Sequence, residues 1–369
     1  MLSAVVLIQN LRWLVPTTFM LGAAPAYISI WGVWRAITAV LPRWLYVKGD
    51  DWMFSTYHRN LLFYFETLTG AELLFYGDLS AVQELSDGEN CLYLSNHQTT
   101  MDWVIATCLA IRRGSLGRVR YVLKDGLKFL PLYGVYLGLH GSVFVKRAGK
   151  FQKDQTQAQL HQDAQDKKPM WLVIFPEGTR YNPELVDIIE GSKQFADKQG
   201  LQTLECVLFP RVRALEVCVQ QLKDSIACVY DVTIAYESAF DFKKRQRLPA
   251  PSMQDFLMGW CRRVHIHVAR IPVAEVPSDA AQLKLWLYAR FQLKDRLLQE
   301  FHSATRPEEA SFPGPCMVKP LALSALVPSV LLWSGTFALC NSCAFYRDVY
   351  WKLGLGTALV GLMWSGLRY

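Results

Sequence analysis

Apolar positions are spread unevenly along this chain, and their spacing changes character between the ends and the middle. Leu14 to Trp34 is a run of 21 residues without a charge, which at about 1.5 Å per residue matches a hydrocarbon core about 30 Å thick. The pattern predicts one N-terminal membrane span. A cleaved leader fits less well, because Arg12 comes late, the run is long and no clear small-x-small cleavage site follows. Pro16, Gly22 and Pro25 interrupt the run, which keeps a broken or re-entrant helix as the alternative. Arg12 precedes it whereas Arg35, Arg43 and Lys48 follow, so the body of the protein is expected to face the cytosol. At the far end, the charge-free stretch Leu321 to Tyr346 is separated by Arg347, Asp348 and Lys352 from a second apolar run, Leu353 to Leu367. That pair reads as a helical hairpin, transmembrane or re-entrant.

The middle of the chain alternates short β-branched or aromatic runs with amphipathic stretches. Strands are predicted at Asn90–Ser95, Arg120–Leu123, Gly141–Lys146, Met170–Phe175, Ala227–Tyr236 and Val264–Val268, and the clearest helices at Met101–Arg113, Phe151–Gln165 and Ser192–Gln199. Such alternation implies an α/β fold, a mixed sheet flanked by helices, with membrane helices at both termini. The expected organisation is a membrane anchor over 1–48, a catalytic domain over 49–310 and the C-terminal hairpin over 311–369. Phe54 to Tyr76 is rich in aromatics but carries Glu66 and Glu72, which suits an amphipathic helix pair lying on a bilayer. Leu283, Trp286, Leu287, Phe291, Leu298 and Phe301 form a helical stripe, expected to face the core.

Composition narrows the function. The 39 basic against 32 acidic residues give a net charge of +7, which suits an anionic lipid surface or a phosphate-bearing substrate. Nucleic acid is not expected as a partner, since there is no zinc-finger spacing, no aromatic RNP-like strand and no long basic helix. The nine cysteines are scattered through a long chain, so reduced thiols are expected; Cys340 and Cys343 lie in an apolar segment, where packing explains them better than metal ligation. Lys243, Lys244, Arg245 and Arg247 read first as a solvated loop, with a role at a phospholipid surface as the alternative. His265 and His267 share one strand face but have no carboxylate or cysteine near them in sequence to complete a metal site.

Three segments carry chemistry. Ser95-Asn96-His97-Gln98-Thr99-Thr100-Met101-Asp102 follows a strand and enters a helix, which is where α/β proteins place reactive groups. A neutral imidazole takes a proton from an attacking hydroxyl, and a carboxylate on its other nitrogen fixes the tautomer. The pair activates a nucleophile and supplies none, so the hydroxyl would be the substrate's own. Residues five apart on a regular helix point about 140° apart, so His97 must precede the helix, with Asn96 expected as an N-cap-like residue. Alone, the His-x4-Asp spacing is a common coincidence. Phe175-Pro176-Glu177-Gly178-Thr179-Arg180 follows the most apolar strand: proline and glycine bracket a turn whose amides can face outward, and Arg180 offers a planar fork to a phosphate. An ordinary turn with a surface ion pair reads equally well. Gly141 to Arg147 is a strand ending in Lys146 and Arg147, a frequent surface pattern that also suits phosphate.

Together and in this order, the segments resemble the glycerophospholipid acyltransferase family. Asn96, His97 and Asp102 match its first motif, Gly141, Phe144 and Arg147 its second, and Phe175 through Arg180 its third; Lys124-x-x-Leu127-x-x-x-Pro131-x-x-Gly134 also fits. The family's fourth motif, a short Val-Pro-apolar sequence, is met here by Leu208-Phe209-Pro210-Arg211 instead. The resemblance implies a glycerol-3-phosphate acyltransferase-like fold. It implies His97 as general base, Asp102 as its orienter, and Lys146, Arg147 and Arg180 on the acceptor phosphate, with Glu177, Gly178 and Thr179 shaping that pocket. It implies acyl-CoA as co-substrate with no resident cofactor and no metal, lysophosphatidic acid or another lysophospholipid as acceptor, and phosphatidic acid as product. The setting would be the endoplasmic reticulum or mitochondrial outer membrane, multi-pass and cytosol-facing. The competing readings are a lysocardiolipin-like acceptor, a CoA-independent transacylase or lipase, against which the lack of a Gly-x-Ser-x-Gly elbow counts, and a scaffold with a dead site.

Overall fold

Cys91–Ser95, Trp171–Ile174 and Cys228–Tyr236 are buried at every residue, as strands covered on both faces by other layers must be. The computed structural model describes residues 11–83, 88–145, 153–166 and 168–368. They fall into two units, one drawn from 1–70, 116–144 and 321–369, the other from 71–115 and 145–320.

In the second unit, neighbouring strands run in the order Met317–Val318, Glu72–Gly77, Arg263–Pro272, Cys228–Tyr236, Cys91–Ser95 and Trp171–Ile174. Cys91–Ser95 is parallel to both of its neighbours, and Glu72–Gly77 is parallel to Arg263–Pro272. The two parallel blocks join through the antiparallel pair Arg263–Pro272 and Cys228–Tyr236, and Met317–Val318 adds an antiparallel edge. This is the mixed sheet flanked by helices that the alternating pattern implies. Each strand expected from the apolar runs is present, the last extended to Pro272, and the helices Asp102–Arg112 and Lys153–Gln165 lie where the periodicity puts them. The helix expected at Ser192 begins earlier, at Val186.

The long helix Ala280–Ser303 starts on Asp279, whose carboxylate accepts the amides of Ala281 and Gln282 at 3.1 and 2.9 Å. Leu283, Leu287, Phe291, Leu298 and Phe301 are all buried, so the stripe faces the core, with Trp286 half-buried. Lys294 and Arg290 from this helix pair with Asp231 of the strand Cys228–Tyr236 at 2.5 and 2.6 Å. Desolvation lowers the pKa of buried Lys294, and Asp231 opposes it. Removing either partner of such a buried pair is strongly destabilising.

The first unit is helical at both chain ends. Leu14–Gly22 and Ala24–Ile37 are successive helices, broken only around Ala23. Among the described residues, two stretches are long and apolar enough to cross a membrane, Leu14–Val40, of 27 residues, and Leu323–Asn341, of 19. The C-terminal pair is a hairpin, but its turn falls at Ser342 and Cys343, and Arg347, Asp348 and Lys352 lie inside the second helix, Ala344–Arg368. The charged trio had marked the turn in sequence; in three dimensions Lys352 pairs with Asp348 one helical turn away at 2.7 Å, which lets the helix run through it.

Phe54 to Tyr76 departs from expectation. It is not a pair of surface helices: Phe54, Tyr57, Tyr64 and Phe65 are buried, and Glu72–Gly77 is a strand. Tyr57 stacks on Tyr27 at 4.3 Å, and Trp333 meets both edge-on. Aromatics mixed with charges satisfy an interfacial pattern and a packed aromatic core equally well; the polar groups settle it by finding partners, as Glu66 does with the Leu321 amide at 3.3 Å. Nearby, Asp50 accepts from Trp31 Nε1 at 3.0 Å and from His140 Nδ1 at 2.7 Å. Asp50, Asp51 and His140 are close enough together to share an ion. The guanidinium of Arg120 instead occupies this cluster, donating to Asp51 at 2.7 Å and to His140 Nε2.

Candidate active site

The parallel trio of strands ends with Ser95 beside Val232 and with Leu94 beside Ile174. The loops that leave these carboxyl ends therefore share one edge of the sheet, where parallel folds collect reactive side chains. Asn96, the first residue past the strand, does not cap the following helix. Its side chain pins the loop to the next strand, donating to the Ile234 carbonyl at 3.0 Å and accepting the Ile234 amide at 2.8 Å. Residues 97–101 then form a turn before the helix Asp102–Arg112.

That turn resolves the spacing of His97 and Asp102. Asp102 opens the helix and folds back over the loop, so its Oδ2 accepts the amides of Gln98 and Thr99 at 2.6 and 3.0 Å and His97 Nδ1 at 2.7 Å. Its Oδ1 accepts the Tyr236 hydroxyl at 2.6 Å. Asp102 is wholly buried at the helix N-terminus, and these four donors take up its two oxygens. They also leave it little capacity to ligate a metal. Because the carboxylate accepts, His97 Nδ1 is the donor of this pair, and Nε2 is left as the open ring nitrogen. Among the described residues Nε2 has no hydrogen-bond partner, and the His97 side chain keeps 20% of its surface exposed. Phe175 stacks against the ring with centroids 4.5 Å apart.

The second motif grips the backbone of the first. Glu177 Oε1 accepts the His97 amide at 2.7 Å, Oε2 accepts the Leu208 amide at 2.9 Å, and the Tyr181 amide donates to the His97 carbonyl at 2.7 Å. Both oxygens of Glu177 are thus committed to main chain, and its part is to hold His97 in place. Burial pushes its carboxyl up to about 8, while the two amides and Lys294 pull the other way. Gly178 takes φ +69° to turn the chain back, a conformation that costs a glycine little. Thr179 is half-buried, and Arg180 is exposed with no hydrogen bond or ion pair among the described residues. Lys146 and Arg147 lie outside the described residues.

Tyr236 and Gln98 complete the arrangement and were not legible in sequence. Gln98 Nε2 donates to the Ile234 carbonyl at 2.8 Å, and Thr99 Oγ1 donates to the Pro251 carbonyl at 2.6 Å. The loop is therefore tied at every residue from Asn96 to Thr99. The basic run past Phe240 turns a small hairpin between Phe240–Asp241 and Gln246–Arg247, with Asp241 accepting the amides of Lys243 and Lys244. His265 has a bland partner, the Tyr76 hydroxyl at 2.9 Å.

The arrangement is an imidazole with one ring nitrogen anchored on a carboxylate and the other open. Comparison with known proteins places the chain among acyltransferases. Residues 78–212 match the family model described as Acyltransferase, and residues 255–333 match the one described as Acyltransferase C-terminus. The chain is 40% identical over 369 residues, all of both chains, to the 1-acyl-sn-glycerol-3-phosphate acyltransferase epsilon of Mus musculus. It is 29% identical over 347 residues to the probable 1-acyl-sn-glycerol-3-phosphate acyltransferase 5 of Arabidopsis thaliana, covering 94% of this chain and 86% of that one. It is 28% identical over 312 residues to lysocardiolipin acyltransferase 1 of Danio rerio, covering 76% and 75% respectively.

Proposed function

The chain belongs to the acyltransferase family, and from that premise we propose that it transfers a fatty acyl chain from acyl-CoA to the free hydroxyl of 1-acylglycerol 3-phosphate at a membrane surface. The observation that carries the reading is the open Nε2 of His97 beside a Nδ1 anchored on Asp102 at 2.7 Å. The acceptor hydroxyl gives its proton to Nε2 as its oxygen attacks the thioester carbonyl. The tetrahedral intermediate then collapses, the C–S bond breaks, and the imidazolium returns the proton to the departing CoA thiolate. Products are phosphatidic acid and free CoA. Asp102 stabilises the imidazolium during this cycle and keeps the ring in one orientation. Arg180, exposed on the turn that holds His97, is the proposed phosphate contact, with Lys146 and Arg147 as further ones. Membrane attachment through Leu14–Val40 and Leu323–Asn341 would bring the site to its lipid substrates.

A second acceptor class is favoured by one observation, the similarity to a lysocardiolipin acyltransferase. Thiol release by the purified full-length protein, with a long-chain acyl-CoA and a panel of lysophospholipids, separates the two. The expected result is release dependent on 1-acylglycerol 3-phosphate and abolished in His97→Ala. No release with any acceptor, or acyl movement without acyl-CoA, would sink the proposal.

A further inference from the structure

The Glu177–Arg180 turn has a companion segment, Leu208 to Arg211, which stands where the family's fourth motif is expected. Leu208 is bound to Glu177 Oε2 at 2.9 Å, and the Arg211 amide donates to the Pro176 carbonyl at 2.8 Å. These two bonds lay residues 208–211 along the turn. The side chain of Arg211 then crosses the Cα of Gly178: a β-carbon at Gly178 would lie 3.3 Å from Arg211 Cδ and 3.5 Å from Nε. Arg211 is exposed and, among the described residues, its guanidinium has no hydrogen bond or ion pair. Arg180 leaves the same turn two residues after Gly178, also exposed and also unpaired. Two exposed cations, one on this turn and one on the segment laid along it, favour an anion near the turn. The carboxylate within the turn does not serve, because both of its oxygens are committed to amides.

The geometry points to Arg211 as a second headgroup-binding arginine, which with Arg180 selects an acceptor carrying a phosphate monoester. A monoester bears about −1.5 to −2 charges near neutral pH, against one for a diester, and offers three oxygens to two planar forks. The inference rests on the acyl-transfer reading above and names what that site prefers. It also gives the departure of Leu208-Phe209-Pro210-Arg211 from the family's fourth motif a use: the position past the proline carries a cation that reaches back over the turn.

The test is steady-state kinetics of the full-length protein in detergent at saturating acyl-CoA, with 1-acylglycerol 3-phosphate and with lysophosphatidylglycerol, a phosphodiester. Arg211→Ala keeps the backbone bond to Pro176, so the turn stays held. It should raise KM for the monoester by roughly ten- to a hundredfold, the scale of a charge-assisted hydrogen bond. The KM for the diester should rise several-fold less, and kcat and the KM for acyl-CoA should hold. Arg211→Lys, with the charge but not the fork, should fall between. An unchanged monoester-to-diester KM ratio in both variants overturns the inference and leaves acyl transfer standing, as does a rise confined to acyl-CoA. A wild-type protein that releases no thiol with either acceptor overturns both.

Discussion

Tyr236 donates a 2.6 Å hydrogen bond to Asp102 across 134 residues of chain, from the end of one buried strand to the first residue of a helix. Asp102 turns its other oxygen to His97 at 2.7 Å. The imidazole is thus oriented by a carboxylate that is itself oriented by a phenol, and burial together with the neighbouring Asp102 charge raises the pKa of Tyr236, keeping it a protonated donor.

Tyr236→Phe removes that donor and leaves Asp102 with three. A buried hydrogen bond to a charged group contributes about 1.5 to 3 kcal/mol, so kcat should drop about tenfold or more with acceptor KM little changed. An unaltered kcat, measured by thiol release, would show that the tyrosine is packing alone.

Asp102→Asn keeps the shape but removes the charge and offers the imidazole a neutral partner. Loss of the orienting carboxylate should lower kcat by about 10² to 10⁴, the range of general-base catalysis, while the protein still binds acceptor. If kcat in this variant stays within a factor of a few of the wild type, proton transfer by His97 is not rate-determining.

Glu177→Gln replaces one of two acceptors by an NH2 that faces an amide N–H. Either the His97 or the Leu208 amide loses its partner, at a cost of about 1 to 3 kcal/mol. The melting midpoint should fall, and kcat should fall with it because the His97 backbone loosens. A drop in acceptor affinity alone, with stability intact, would instead make Glu177 a direct substrate contact.

His302 is one of the buried histidines that make stability depend on pH. It is buried against Phe240, with ring centroids 4.7 Å apart, and burial followed by the Arg247 and Arg245 charges lowers its pKa from 6.5 to about 3. Between those values the unfolded chain binds a proton that the folded chain does not. The stabilisation is therefore complete above about pH 6.5 and is lost as pH falls, by about 1.4 kcal/mol per pH unit for this residue. His302→Phe keeps the stacking and removes the titration. Its melting midpoint should decline less than the wild type's between pH 7 and pH 5; parallel declines would show that another group dominates.

Much of this molecule can be read from local pattern. The runs at Cys91–Ser95, Trp171–Ile174 and Cys228–Tyr236 are apolar throughout because both faces are covered, so each declares itself without knowledge of its neighbours. Leu14–Val40 and Leu323–Asn341 are visible for the same reason, as stretches with no polar face to hide. His97 and Asp102 were legible because three segments match one family's motifs in order, and the geometry of the pair is set by one turn and one helix start.

Groups that act across distance were not legible. Tyr236 as the fourth donor to Asp102, Glu177 as a clamp on the His97 amide, and Arg211 over Gly178 are contacts between segments many residues apart, with no periodicity that encodes them. The misreading of Phe54–Tyr76 has the same origin, since aromatic and acidic residues in that mixture tell nothing of their partners until Tyr27 and Trp333 are packed against them. Sequence by itself determined the strands, the apolar ends and the candidate pair of His97 and Asp102, because those depend on neighbours along the chain. Only the tertiary structure decided what holds the pair and what surrounds it, because hydrogen-bond partners are chosen by proximity in space.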